Sequence, residues 1–272
     1  MATAEIQRQY DEVIAPHYDR DPLAVTGRAL NRAVAHLSEA GCLSRILPPA
    51  AVLDVGIGTG LFLEQLRRKA ERAILPYGLD ISRQMIDLAA ARLPDLVAEV
   101  DDAARLSRHF DDTHFDLICT HFVTGFVPLN ELAPQISRKL KPGGYWSFVG
   151  GTSHGFPELQ RTARSGLAKF LFGGQEISLA DLKTPADEAE VVDILSLSGF
   201  DVYHAETFEP ELYFGNFDDF MNFAWRGGWL TPFIEELGLQ NAGRLLRTLL
   251  NTFIFPVSDV HRIVIALARK PD

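Results

Sequence analysis

Three glycines at alternate positions, Gly56, Gly58 and Gly60, follow the apolar run at residues 51–55 that carries Asp54. Glycine permits backbone angles and close approaches that side chains forbid, so a cofactor can lie against the main chain where the next helix starts. Asp80 comes twenty residues after Gly60, at the end of a second apolar run. A carboxylate there can accept hydrogen bonds from both hydroxyls of a ribose. A lone glycine turn is weak evidence, and a tight turn without ligand is its bland reading. The strand before it and the acid after it make the pattern strong. The spacing is G-x-G-x-G, with Leu61 where a dinucleotide turn would set its third glycine.

Proton chemistry could fall to His17, His121 or His154. His121 follows a fourth apolar run and His154 a fifth, and open α/β sheets bind ligands beyond the carboxyl ends of their strands. A loop histidine is nonetheless more often a surface or structural residue. Cys42 and Cys119 are far apart, which argues against a disulfide framework or a cysteine metal site. Cys119 sits in an apolar strand, where an inert buried thiol is the commoner reading.

The elements that must position these residues alternate. Residues 4–40 read as helical with a break near Ala15-Pro16, and strands are expected at 51–55, 77–80, 96–100, 115–120 and 145–150. Leu63, Leu66, Ala70 and Ala73 recur at helical spacing, Ser82 is an N-cap for a helix carrying Met85, Ile86, Ala89 and Leu93, and Lys141-Pro-Gly-Gly144 is a turn. Thr184-Pro185 reads as a helix start, Gly199 as its stop, and 200–208 and 263–269 as the last two strands. This pace predicts a mostly parallel sheet covered by helices on both faces. Between the last two strands, residues 209–259 hold Tyr213, Phe214, Phe217, Phe220, Phe223, Trp225, Trp229 and Phe233. Phe217, Phe220 and Met221, then Leu245, Leu246, Leu249 and Leu250, recur at helical spacing. The insertion is either a structural cap or the wall of a pocket.

The 272 residues are 47% hydrophobic and 23% charged, which suits one large domain or a domain with a lid and excludes wholesale disorder. No apolar run approaches the roughly 18 residues of a membrane span, and residues 1–5 lack the look of a signal peptide, so a soluble, cytoplasmic protein is expected. The net charge of −10 argues against a nucleic-acid partner. The basic groups Arg67-Arg68-Lys69 with Arg72, and Arg161, Arg164 and Lys169, read as solvated helix faces.

In residues 52–60, 78–85, 101–103, 115–128 and 140–148 the sequence resembles the class I S-adenosylmethionine-dependent methyltransferases, of the type that acts on small molecules. The N-terminal Tyr10-Asp-Glu-Val-Ile-Ala-Pro-His-Tyr18-Asp19 resembles the helical cover of many such members. The resemblance implies a Rossmann-like doubly wound, mostly parallel seven-stranded sheet with helical lid elements, and S-adenosylmethionine as cofactor. It implies that Asp54 and the backbone at Gly56 and Gly58 face the amino-acid end of that cofactor, that Gly60 also belongs to its binding site, and that Asp80 holds the ribose. Ile81 and Met85 would lie beside the adenine, and Asp102 (or Asp101), with Ala103 in the same binding site, would accept from its amino group. On spacing alone Met85 reads as core. The backbone at Thr120 would meet the methionine amino group, and Tyr18 would close over the sulfonium, though Tyr18 also reads as a plain helix contact.

Methyl transfer from a sulfonium needs alignment, exclusion of water and, for some acceptors, a base; no metal is required. His121, His154 and Tyr18 are the candidates for catalysis, and His17, Phe122, Phe223 and Trp225 for holding a small-molecule methyl acceptor. Many small-molecule members read Leu-His-His where this chain has Thr124-Gly125-Phe126, and the Asn/Asp-Pro-Pro-aromatic run of nucleobase amine methylation is replaced by Thr120-His-Phe-Val123. The expected division is a cover at 1–45, a cofactor core at 46–208, an aromatic lid at 209–259 and a final strand at 260–272. A protein that binds the cofactor for other chemistry (a cyclase, a decarboxylase or a binding module) is the second reading, since one fold hosts many chemistries. A nicotinamide oxidoreductase is the third, disfavoured by the glycine spacing. Nothing in the sequence reads out the oligomeric state.

Overall fold

The computed structural model describes residues 3–45, 48–70, 73–166 and 184–272. Seven strands form the central sheet: β1 (Ala50–Val55), β2 (Ile74–Asp80), β3 (Val97–Val100), β4 (Phe115–His121), β5 (Leu140–Gly151), β6 (Asp201–Phe208) and the last strand, Ile263–Arg269. Their order is β3-β2-β1-β4-β5, then the last strand, then β6. The pairings from β3 to β5 are parallel, and the last strand runs antiparallel to both its neighbours. The reversed strand therefore begins at the edge where the parallel strands end. A loop entering it, at His261, faces the same crevice as the glycine turn.

The inner strands bury both sides because the sheet is covered twice, while the edge strands β3 and β6 stay largely exposed. In β1, Ala50 and Val52 join one apolar core and Ala51, Leu53 and Val55 the other, as the two-residue period of a strand demands. The first core takes α2 (Val25–Glu39), α4 (Leu61–Lys69) and α5 (Arg83–Arg92); the second takes α6 (Leu129–Lys139) and α8 (Glu188–Leu197). The short helices α1 (Thr3–Gln9), α3 (Cys42–Arg45) and α7 (Pro157–Ala163) complete the sequence up to α8.

Ser82 caps α5 as expected, its Oγ accepting from the Met85 N–H at 3.0 Å. The helix expected at Thr184-Pro185 instead starts at Glu188. Asp187 accepts the Glu190 N–H at 3.0 Å while Glu190 Oε2 accepts from the Ala186 N–H, a reciprocal cap that outcompetes the proline. Helix α4 stops at Lys69, so Ala73 lies beyond it. The fifth strand begins at Leu140, earlier than expected, and the expected turn survives inside it as a kink at Gly143 (φ +73°), after which pairing with β4 resumes at Tyr145.

Residues 209–259 do carry helices, α9 (Phe217–Met221), α10 (Thr231–Glu236) and α11 (Arg244–Phe253), with a π-turn at Asn222–Arg226. They also carry an antiparallel ribbon of β7 (Glu211–Phe214) and β8 (Val257–Val260), which makes the last sheet strand β9. Four-residue strands are too short for periodicity to expose. Phe214, Phe217, Phe220 and Phe223 are fully buried in this insertion.

Arg67 pairs with Asp95, Arg68 with Glu64 and Arg161 with Glu158; Arg72 and Lys169 lie outside the described residues. Both cysteines are free and buried. Burial raises the Cys42 thiol to about 12 and pushes Cys119 well above its ordinary value, so neither offers a thiolate. No helix among the described residues is long and apolar enough to cross a membrane.

Candidate functional site

A cavity of about 340 Å³ opens at the carboxyl ends of the parallel strands. Its wall on the β1–β3 side is built by the glycine turn. Gly56 and Gly58 both have positive φ, +75° and +53°, and a Cβ on Gly56 would come within 2.6 Å of Val123 Cγ2. Only glycine keeps this turn against the cavity. The Gly58 N–H donates to Asp80 Oδ2 at 2.8 Å and the Ser82 N–H to Asp80 Oδ1 at 2.9 Å, which fixes the carboxylate at the end of β2. Leu79, Ile81, Met85, Asp102 and Ala103 continue the wall as an apolar slot with one acid at its edge. Asp101 is turned aside into pairs with His109 and Arg105, so Asp102 is the carboxylate that lines the cavity.

The N-terminal segment closes this wall from outside. Asp11 Oδ1 accepts from Ser82 Oγ at 2.5 Å, and Asp19 Oδ1 accepts from Thr59 Oγ1 at 2.6 Å, with Arg92 on its other oxygen. These contacts set the Tyr10 and Tyr18 rings into the cavity lining. Burial pushes both phenols far above their ordinary value, with Tyr18 and then Asp80 adding to it at Tyr10 and Asp80 at Tyr18, so neither ionises to act as a base.

Burial also raises Asp80 to about 6, against the lowering effect of the Ser82 and Gly58 N–H groups, and it raises Asp54 as well. Above about pH 6 the Asp80 carboxylate is charged and accepts hydrogen bonds on both oxygens; below it, a proton occupies one of them. The affinity for S-adenosylhomocysteine is therefore expected to rise severalfold between about pH 5 and pH 7 and then level off. Titration calorimetry across that range checks this, and in Asp80→Asn the slope should vanish.

Toward β4, β5 and the lid the lining is aromatic and polar. Phe122 and Phe156 both sit at positive φ, +61° and +53°, a strained backbone for large side chains that the Phe122 N–H to Val149 O and Phe156 N–H to Val260 O bonds maintain. Trp229 meets Phe122 edge-on at 4.9 Å. His121, Thr124, Thr152, Thr184 and His261 line this region, and each has a buried side-chain atom without a partner among the described residues. Leaving such a group unpaired costs about 1–3 kcal/mol, so a concentration of them marks a place where something else supplies the bonds. Burial lowers His121 and His261 to about 3, which keeps both imidazoles neutral.

Of the residues singled out from sequence, Gly56, Gly58, Asp80, Ile81, Met85, Asp102, Ala103, Tyr18, His121 and Phe122 are brought together around this cavity. Others are not. Gly60 caps α4, and Thr120 lies buried behind the lining, its Oγ1 accepting from Trp146 Nε1 at 2.8 Å. Asp54 also lies behind the turn, with Oδ1 unpartnered. His154 is exposed outside the cavity. His17 faces a separate cavity of about 190 Å³ and bonds to Val13 O at 3.0 Å. Phe223 is core, stacked 5.5 Å behind Trp229, and Trp225 packs on the core without reaching the main cavity. Trp229 and His261 are the lining residues that sequence reasoning missed. The π-turn at Asn222–Arg226 and Gly227-Gly228 bring Trp229, rather than Phe223 or Trp225, to the cavity lining.

This sheet order with one reversed strand, and a glycine turn bonded to a carboxylate at the carboxyl edge, make a Rossmann-like fold. Residues 52–144 match the family model described as a methyltransferase domain. Over this region the chain is similar to S-adenosylmethionine-dependent methyltransferases. It is 33% identical over 156 residues to a malonyl-[acyl-carrier protein] O-methyltransferase of Herminiimonas arsenicoxydans, covering 57% of this chain and 54% of that one. It is 25% identical over 168 residues to a carboxy-S-adenosyl-L-methionine synthase of Trichodesmium erythraeum (strain IMS101), covering 56% and 66%. The matched regions thus span between about half and two thirds of these curated relatives. Among solved structures, the YcgJ protein of Bacillus subtilis superposes with a TM-score of 0.58 at 16% identity, over 89% of this chain and 99% of that one, a likeness of fold.

The residues fit the family's cofactor, S-adenosylmethionine. The cradle at Gly56 is one a Cβ would fill, the Asp80 carboxylate is aimed at the cavity, and a buried acid, Asp54, has an unpaired oxygen behind the same turn.

Proposed function

We propose that the protein methylates a small, largely apolar or aromatic metabolite at the expense of S-adenosylmethionine. The observation that carries this is one continuous cavity whose lining joins the glycine turn and Asp80 to the aromatic side chains of the lid. When bound, the cofactor supplies a methyl carbon already activated by its sulfonium charge. Asp80 would hold the ribose hydroxyls, the backbone at Gly56 and Gly58 would carry the amino-acid end, and Met85, Ile81 and Ala103 would flank the adenine, with Asp102 at its amino edge. Tyr10 and Tyr18, pinned through Asp11 and Asp19, would shut water out from above. Phe122, Phe156 and Trp229 would align the acceptor, which an in-line displacement needs more than it needs acid–base help. In this reading residues 1–45 are the cover, 46–208 with 260–272 the cofactor core, and 209–259 the lid.

The test is incubation of the purified protein with methyl-labelled S-adenosylmethionine and a fractionated metabolite extract. Label should leave the cofactor for a small molecule as S-adenosylhomocysteine accumulates. With that acceptor in hand, Trp229→Ala should raise its KM about tenfold or more while S-adenosylhomocysteine affinity stays within a factor of a few. An unchanged KM would remove Trp229 from the acceptor wall.

A second reading, a cofactor-modifying rather than methyl-transferring enzyme, draws on the similarity to the carboxy-S-adenosyl-L-methionine synthase. There the methyl label would stay on a sulfonium product and no methylated acceptor would form.

A further inference from the structure

The part of the cavity between β5, the lid and the loop entering β9 lies several strands from Asp80, beyond the residues assigned to the cofactor. His261 is its central polar group. The imidazole is 4% exposed, stacks on Phe156 at 4.3 Å and 17°, and meets the Trp229 ring edge-on at 5.0 Å. Its Nδ1 has no partner. Two glycines keep side chains away from the ring: a Cβ on Gly155 would come within 3.1 Å of Nδ1, and one on Gly151 within 3.1 Å of Nε2 and 2.8 Å of Cε1. Thr152 and Thr124, both buried in the same lining, also have unpaired hydroxyl oxygens.

We propose that this region is a subsite for a flat, uncharged molecule bearing a hydroxyl group, with His261 as the residue that hydrogen-bonds the hydroxyl. The inference rests on the methyl-acceptor reading above and names the acceptor's chemical class. A neutral imidazole offers one N–H and one lone pair, and a threonine hydroxyl also both gives and takes; a ligand hydroxyl matches either. No lysine or arginine stands among the described lining residues to compensate a carboxylate or phosphate, and burying such a charge without a counter-charge is costly. Burial keeps His261 neutral, in line with an uncharged ligand. The rings of Phe156, Phe122 and Trp229 favour a flat aromatic body over a branched aliphatic one.

The experiment uses three probes of one shape, 2-naphthol, 2-methoxynaphthalene and 2-naphthoate, titrated into the full-length protein with and without S-adenosylhomocysteine and followed by calorimetry. 2-Naphthol should bind about tenfold or more tighter than either analogue. His261→Phe, which keeps a ring for Phe156 and Trp229 to pack on, should bring 2-naphthol to within about twofold of the methyl ether, the larger loss falling on 2-naphthol. His261→Asn, which retains hydrogen-bonding atoms, should restore part of the preference. The inference is overturned if no probe binds, if naphthoate binds tightest, if wild type shows no hydroxyl preference, or if His261→Phe keeps it. S-adenosylhomocysteine alone is titrated first: its failure to bind would overturn the proposed function, whereas its binding without hydroxyl preference would overturn only this subsite.

Discussion

Asp80→Ala is expected to weaken S-adenosylhomocysteine binding by about 1.5–3 kcal/mol, or roughly 10- to 150-fold, the range for hydrogen bonds to a charged acceptor. The effect has two sources. Two acceptors for the ribose hydroxyls disappear, and the Gly58 and Ser82 N–H groups lose the carboxylate that fixes the glycine turn. Asp80→Asn retains one side-chain oxygen and much of the shape, so its loss should be smaller. Calorimetry on variants whose thermal unfolding remains cooperative checks this; an unchanged affinity in Asp80→Ala would mean that the ribose lies elsewhere.

Phe223→Ala is expected to destabilise the protein by about 3–5 kcal/mol, as for other buried phenylalanines. The ring is 2% exposed, lies parallel to Trp229 at 5.5 Å, and touches Phe214 and Phe156 at 5.4 and 6.1 Å. It is the layer behind the cavity wall rather than the wall itself. In the proposed reading the insertion is both cap and pocket: Phe214, Phe217, Phe220 and Phe223 are its buried layer, and Trp229 lines the cavity beside Phe156. Trp225, only partly buried, should cost less. Urea denaturation of the three proteins measures these differences, and a loss below about 1 kcal/mol for Phe223→Ala would contradict the core assignment.

The glycine-turn side of the cavity was legible in the sequence because it is local. The strand, the glycine turn and the acid at the end of β2 lie within one stretch of chain, and each is forced by backbone geometry that only certain residues allow. The same holds for the Ser82 cap and for the inner sheet strands, whose apolar runs are buried on both faces. The opposite side was not, because long-range packing makes it. His261 becomes a lining residue only when the reversed strand β9 brings its entry loop beside Gly151 and Gly155. The rotation that buries Phe223 and frees Trp229 depends on a π-turn that helical periodicity does not anticipate. His154 follows its strand as expected, yet the chain turns it outward to solvent, with its backbone carbonyl bound by Arg262.

The most direct test of the central claim is a crystal structure of the protein with S-adenosylhomocysteine. The ribose hydroxyls should lie on the Asp80 carboxylate, the adenine should sit among Ile81, Met85 and Ala103 with its amino group toward Asp102, and the sulfur should face the open region bounded by Phe122, Trp229 and His261. A ligand bound outside this cavity, or one whose ribose makes no contact with Asp80, would contradict the account.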